Sequence, residues 1–141
     1  MARDEHAPGS GARRWFMLAG SAAGAVAVCC AIGAVPTWSL GGPAATGGMA
    51  IAAGVVLVAV AAGAVPVAAA AASPMRTVAN AVLGGIVVRF VLVLALALAA
   101  TLCIAGRTRT AFLLWVGIHY IFCLAATSGM ELWLLGRRCE R

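Results

Sequence analysis

Four stretches of almost unbroken apolar residues divide the chain: Trp15 to Val35, about Met49 to Ala72, Val78 to Ala105 and Ala111 to Leu135. Each reaches the roughly 20 residues that a helix needs to cross a bilayer, where its backbone polar groups must be satisfied within the helix. The pattern predicts an all-α membrane protein, with four transmembrane helices in a small bundle. Short connections lie between them: Pro36 to Gly48, punctuated by Pro36, Gly41, Gly42 and Pro43; Ser73 to Thr77, with Pro74; and Gly106 to Thr110. None is long enough to hold a soluble domain. The expected organisation is a polar tail over residues 1–14, disordered for want of apolar residues, then one transmembrane domain over 15–135 and a basic tail over 136–141.

Composition agrees with the pattern. Of 141 residues, 64% are hydrophobic and 10% charged, against about a quarter charged in soluble domains. All ten cations are arginines, and their placement sets the orientation, because cytoplasmic flanks of membrane helices carry the excess of positive charge. With four spans both termini share a side. Arg3, Arg13, Arg14, Arg76, Arg137, Arg138 and Arg141 fall on it, against Arg107 and Arg109 opposite. Both termini are therefore expected in the cytoplasm, with Trp15, Trp38 and Trp133 near span ends at the bilayer interface.

The net charge of +6 raises nucleic acid as a partner, but the cations are scattered over membrane flanks without a basic domain or interleaved aromatics. The lipid bilayer, not nucleic acid, is the partner they suit. Arg13-Arg14-Trp15-Phe16-Met17 before an apolar run also looks like a twin-arginine export signal. An uncleaved cytoplasmic flank explains the same residues by charge asymmetry alone. The five cysteines, Cys29, Cys30, Cys103, Cys123 and Cys139, have no paired spacing of the kind that holds a metal, and buried free cysteine behaves as a small hydrophobe.

Helices in lipid associate by close backbone approach, so small residues matter. Gly20 and Gly24 form a GxxxG pair, with Ala19, Ala23, Ala27 and Ala31 as a strip along the same segment, and Ala59 and Gly63 form a similar pair on the second. Pro66, inside the second segment, is expected to kink it and free a carbonyl.

Arg89 stands inside the third apolar segment, where a charge is costly and is usually kept for a function. Gly85, Ala100 and Cys103 fall within about 40° of it on a helical wheel, together with Val82, Val93 and Leu96, while Val87, Val91, Leu94, Leu98 and Leu102 lie opposite. Counted from Ala81, Arg89 lies about 12 Å into the hydrocarbon. Glu131, on the antiparallel fourth segment, lies about 6 Å below the same surface, within reach of an arginine side chain. Arg89 and Glu131 are thus a candidate ion pair within the chain, or charges directed at a partner or an ion path.

Tyr120, Leu124, Thr127 and Glu131 share a face of the fourth helix within about 40°, which makes a partly polar stripe. His119 is expected on another face with Cys123 and Met130, as a hydrogen-bonded core or interface histidine, with proton relay or soft-metal binding as further roles. No phosphate loop, metal-binding signature or nucleophile elbow occurs, and only four residues are acidic. The chain is therefore expected to be no enzyme, with no catalytic residue, resident metal or cofactor.

The order of these features resembles a known family. Gly41-Gly42-Pro43 to Gly47-Gly48 leads into a small-residue helix, a basic loop follows, then Leu83-Gly84-Gly85-Ile86-Val87-Val88-Arg89, and last Trp115-Val116-Gly117-Ile118-His119-Tyr120. This order is similar to the small four-helix membrane proteins of the ATP synthase protein I (subunit I) type, over about residues 12 to 138. The resemblance implies a multi-pass protein of the bacterial cytoplasmic (inner) membrane. Its role would be to assist assembly of the c-subunit ring of an F-type ATP synthase, with magnesium supply as a further role. By position, Arg89 resembles the family's intramembrane cation and Tyr120 its aromatic. The family's acid about two turns after that tyrosine falls on Thr127 here, and Glu131 comes one turn later. A second reading is a small homo-oligomeric ion transporter or channel, with Arg89, Glu131 and His119 along a polar path. A third is a helix-packing subunit of another membrane complex.

Overall fold

The computed structural model describes residues 10–70, 73–104 and 106–139. They fold into three helices, α1 (Ser10–Ala69), α2 (Met75–Cys103) and α3 (Gly106–Cys139), with no strand among the described residues. Each helix holds a stretch long and apolar enough to cross a membrane: Gly11–Ala69, Arg76–Cys103 and Thr108–Trp133. By length and composition the described residues are those of a helical protein able to span a membrane.

Three helices replace the expected four, because Pro36 to Gly48 is not a loop. Helical backbone runs through Pro36 and resumes at Pro43, leaving Gly42 as the single residue with non-helical torsions (φ 63°, ψ −155°). Glycine enters that region freely, whereas a side chain with a Cβ is strained there. One residue thus turns α1 back on itself as a hairpin of two limbs, 10–41 and 43–69. Pro43 suits the start of the second limb, since the first helical position needs no N–H donor. Along the hairpin Thr37 Oγ1 lies 4.0 Å from Met49 Sδ, and at its open end a Cβ on Gly11 would lie 3.2 Å from the carbonyl oxygen of Ala68.

Pro36 and Pro66 also lie within helical backbone. A proline inside a helix in lipid is tolerated where neighbours meet the carbonyls it disturbs. The indole N–H of Trp15 donates to the carbonyl of Ala61 at 3.0 Å, beside Ala62, whose helical donor Pro66 removes.

Helix ends depart from the expected limits. α1 begins at Ser10, so residues 10–14 are not a disordered tail, and α3 runs from Gly106 to Cys139 through the expected loop and the first part of the basic tail. Hydropathy marks where a helix meets lipid, whereas backbone hydrogen bonding carries it on into the polar flanks. The remainder of both tails, 1–9 and 140–141, lies outside the described residues. α2 starts after Pro74, whose carbonyl accepts from the N–H groups of Thr77 and Val78 at 2.9 and 3.2 Å.

The α1 hairpin is the hub, with α3 packed extensively against it, α2 less so, and α2 and α3 barely touching. Ala22 and Val26 of the first limb, Ala52, Val56 and Val60 of the second, Val93 and Ala97 of α2, and Phe112 and Val116 of α3 form one buried cluster. Its many alanines let helix backbones approach closely. The α2 face bearing Val87, Val91, Leu94, Leu98 and Leu102 is exposed, as lipid-facing residues are.

Candidate functional site

Arg89 sits at the midpoint of α2, about 21 Å from either helix end at 1.5 Å per residue. The helix itself starts six residues before Ala81, at Met75. The site is built where α2 crosses the second limb of α1. A Cβ on Gly85 would lie 2.8 Å from the carbonyl oxygen of Gly63, and one on Gly63 would lie 2.9 Å from that of Gly85. The two backbones therefore touch, which only a pair of glycines permits.

The stem of Arg89 lies over the same glycine: a Cβ on Gly63 would overlap Arg89 Cγ and lie 2.9 Å from its Nε. Helical side chains tilt toward the helix N-terminus, and this tilt carries the guanidinium across α1 to α3. There Nη1 donates to Thr127 Oγ1 at 3.0 Å and Nη2 to Glu131 Oε1 at 2.7 Å. Arg89 is 1% exposed, Thr127 0% and Glu131 5%, so the pair is closed off from any partner as it stands. The Thr127 hydroxyl donates in turn to the Cys123 carbonyl at 2.7 Å, which orients its lone pairs toward the guanidinium. Arg89 Nε is buried without a hydrogen-bond partner.

This ion pair bridges two helices that otherwise scarcely meet. Glu131 is also the sole acid among the described residues. A buried charge that loses its partner is strongly destabilising, by about 3–5 kcal/mol.

On α3 the residues expected on two faces lie on one. Phe112, Val116, His119, Cys123, Thr127 and Glu131 are all buried. They follow one another at steps of three or four residues, so the inward row drifts around the helix as it wraps α1. A window of about 40° centred on Tyr120 leaves out His119 and Cys123, whereas all six lie within an arc of about 120°. Tyr120 is at the margin of this row, half-buried, with its ring 6.3 Å from that of Phe90 on α2. Met130 is only partly buried.

His119 is fully buried and has a partner on each ring nitrogen. Nδ1 lies 2.8 Å from the Trp115 carbonyl and Nε2 3.3 Å from Cys30 Sγ. A carbonyl only accepts, so Nδ1 carries a proton. The ring is thereby a hydrogen-bonded core histidine. In the sequence Cys30 reads as one of five small apolar cysteines, and nothing there pairs it with His119.

Glycines divide by role. Gly85 packs inward, as do Gly63, Gly33 and Gly48; a Cβ on Gly33 would overlap the indole of Trp115, and one on Gly48 would lie 2.7 Å from the Thr108 carbonyl oxygen. Gly20 and Gly24 do not hold the chain together: both are exposed, with open space beside them. Their GxxxG spacing is met on the outside of the first limb, and Ala23, Ala27 and Ala31 are exposed as well.

No family model, curated protein or solved structure matches this chain.

Proposed function

We propose that the chain is an accessory protein of a membrane complex, with no catalysis of its own, that works by packing its helices against a partner in the bilayer. By the resemblance noted above, that partner is the c-subunit ring of an F-type ATP synthase, whose assembly or stability it assists. The setting is a bacterial cytoplasmic membrane, with both termini on the cytoplasmic side.

The observation that carries this reading is the closure of Arg89 on Glu131. The two charges within the apolar helices neutralise each other and join α2 to α3, leaving an outer surface of apolar and small side chains suited to helix packing. The geometry also bears on the departure from the family pattern. One guanidinium reaches both Thr127, at the place of the family's acid, and Glu131 one turn on. The ion-transport reading is weaker, because its one carboxylate is already engaged. Magnesium supply would call for several oxygen ligands around largely retained waters.

Two measurements test the proposal. In a strain lacking the native copy, Arg89→Leu should lower the yield of assembled c-ring on native gels, and of ATP synthase with it. An unchanged yield would overturn the assigned partner. A photoreactive residue at Val88, beside Arg89 and 40% exposed, should crosslink to a c subunit. Capture of this chain alone would move the assignment to a homo-oligomer, with ion flux in liposomes as its next test.

A further inference from the structure

The end of the bundle that holds Gly42 and Gly106 carries a groove between the first limb of α1 and the start of α3. A cavity of about 490 Å³ there is lined by Pro36, Thr37, Leu40, Thr110, Ala111, Leu114 and Trp115 among others. A second cavity of about 200 Å³ shares Pro36 and Trp115 with it and continues inward to Cys29 and Phe122. From Thr110 to Phe122 the groove follows α3 for about 18 Å.

Its lining limits what it can take. The walls are apolar apart from Thr37, Thr110 and Cys29, and hydrocarbon chains are what such walls meet in a bilayer.

Charge selects among lipids. Arg109 directly precedes the groove residues Thr110 and Ala111, is exposed, and makes no ion pair or hydrogen bond among the described residues. The sequence has no acid between residues 6 and 130, so none of the described residues at this end compensates it. Trp38, 60% exposed one turn before Gly42, lies near the same end of the bundle, where an indole suits the headgroup level.

We propose that this groove binds an anionic phospholipid, its acyl chain along Leu114 and Trp115 and its phosphate at Arg109 and the Thr110 hydroxyl. The site is separate from Arg89 and independent of the partner assigned above.

The test is native mass spectrometry of the full chain released from mild detergent and titrated with phosphatidylglycerol or phosphatidylcholine of equal acyl length. The wild-type chain should prefer phosphatidylglycerol by about fivefold, the effect of one arginine near a charged surface. Arg109→Gln, at an exposed position, should abolish the preference while leaving acyl binding. Leu114→Trp, at an exposed position in the lining, should weaken both lipids. Equal retention of the two lipids by the wild-type chain would overturn the proposal. So would a preference that survives Arg109→Gln, or one lost equally on Arg13→Gln at the far end.

Discussion

α3 meets the two halves of the bundle on opposite terms. Against α1 it makes a long apolar contact, with Phe112 and Val116 set among Ala22, Val26, Ala52 and Val56, and with Gly48 and Gly33 cut back to admit the α3 backbone and Trp115. Against α2 it makes few contacts, and apart from the Phe90–Tyr120 ring pair the link is carried by two hydrogen bonds from one guanidinium. In lipid, apolar burial brings no gain from excluding water, so the first interface rests on dispersion summed over many close atoms. The second is concentrated in a few polar atoms. A distributed interface tolerates a single change, whereas a concentrated one fails at its key group.

The largest effect should therefore come from Glu131→Ala, which leaves Arg89 buried and uncompensated. Unfolding of the purified protein in mixed micelles, followed by tryptophan fluorescence, should show a loss of about 3–5 kcal/mol. The double variant Arg89→Leu, Glu131→Leu should recover most of it, since no charge is then stranded. Equal stability of Glu131→Ala and the native chain would remove the contrast between the two interfaces.

Next comes Gly63→Ala. The added Cβ meets the stem of Arg89, which can shift, and the Gly85 carbonyl oxygen at 2.9 Å, which belongs to a helix backbone and cannot. The same unfolding measurement should show a loss of about 1–3 kcal/mol. If Gly63 serves the ion pair through this crossing, its effect and that of Glu131→Ala should be non-additive in a double-mutant cycle.

Thr127→Val removes the acceptor of Arg89 Nη1 while nearly preserving volume. Nε already lacks a partner, so this variant leaves Glu131 as the only anchor of the guanidinium. The expected loss is about 1.5 kcal/mol, at the low end for a hydrogen bond to a charged group. A larger loss would mean that Thr127 also sets the geometry of the Arg89–Glu131 bond.

Much of this site was legible in the chain because charge in an apolar run is conspicuous. Arg89 and Glu131 stand out against their neighbours, and their counted depths already place them within reach of each other. What escaped is of two kinds. The reversal at Gly42 was read as a loop because Pro36, Gly41, Gly42 and Pro43 are each helix breakers on average, yet only one of them needs torsions that helices forbid. The inward row of α3 divides in two on a wheel centred on Tyr120, because that residue lies at the margin of the stripe and not at its middle. Cys30 and Gly33 carry no signal of their own, since their roles depend on His119 and Trp115, far away in sequence.

The smallest expected effect on stability is the most informative about the partner. Gly20 and Gly24 have the spacing of a helix-packing pair, but open space lies beside both, so Gly24→Leu touches nothing within the chain. Its stability should stay within about 0.5 kcal/mol of the native value, as for surface changes generally. If the outer face of the first limb is where a partner helix seats, the same variant should sharply reduce what copurifies or crosslinks with the protein, because leucine holds the backbones apart. A variant that keeps its fold and loses its partner would separate the two uses of glycine here: Gly63 and Gly85 for holding the chain to itself, Gly20 and Gly24 for holding it to something else. A variant that loses neither would leave the outer strip as plain lipid-facing surface, and the search for the docking face would move to α2 around Val88.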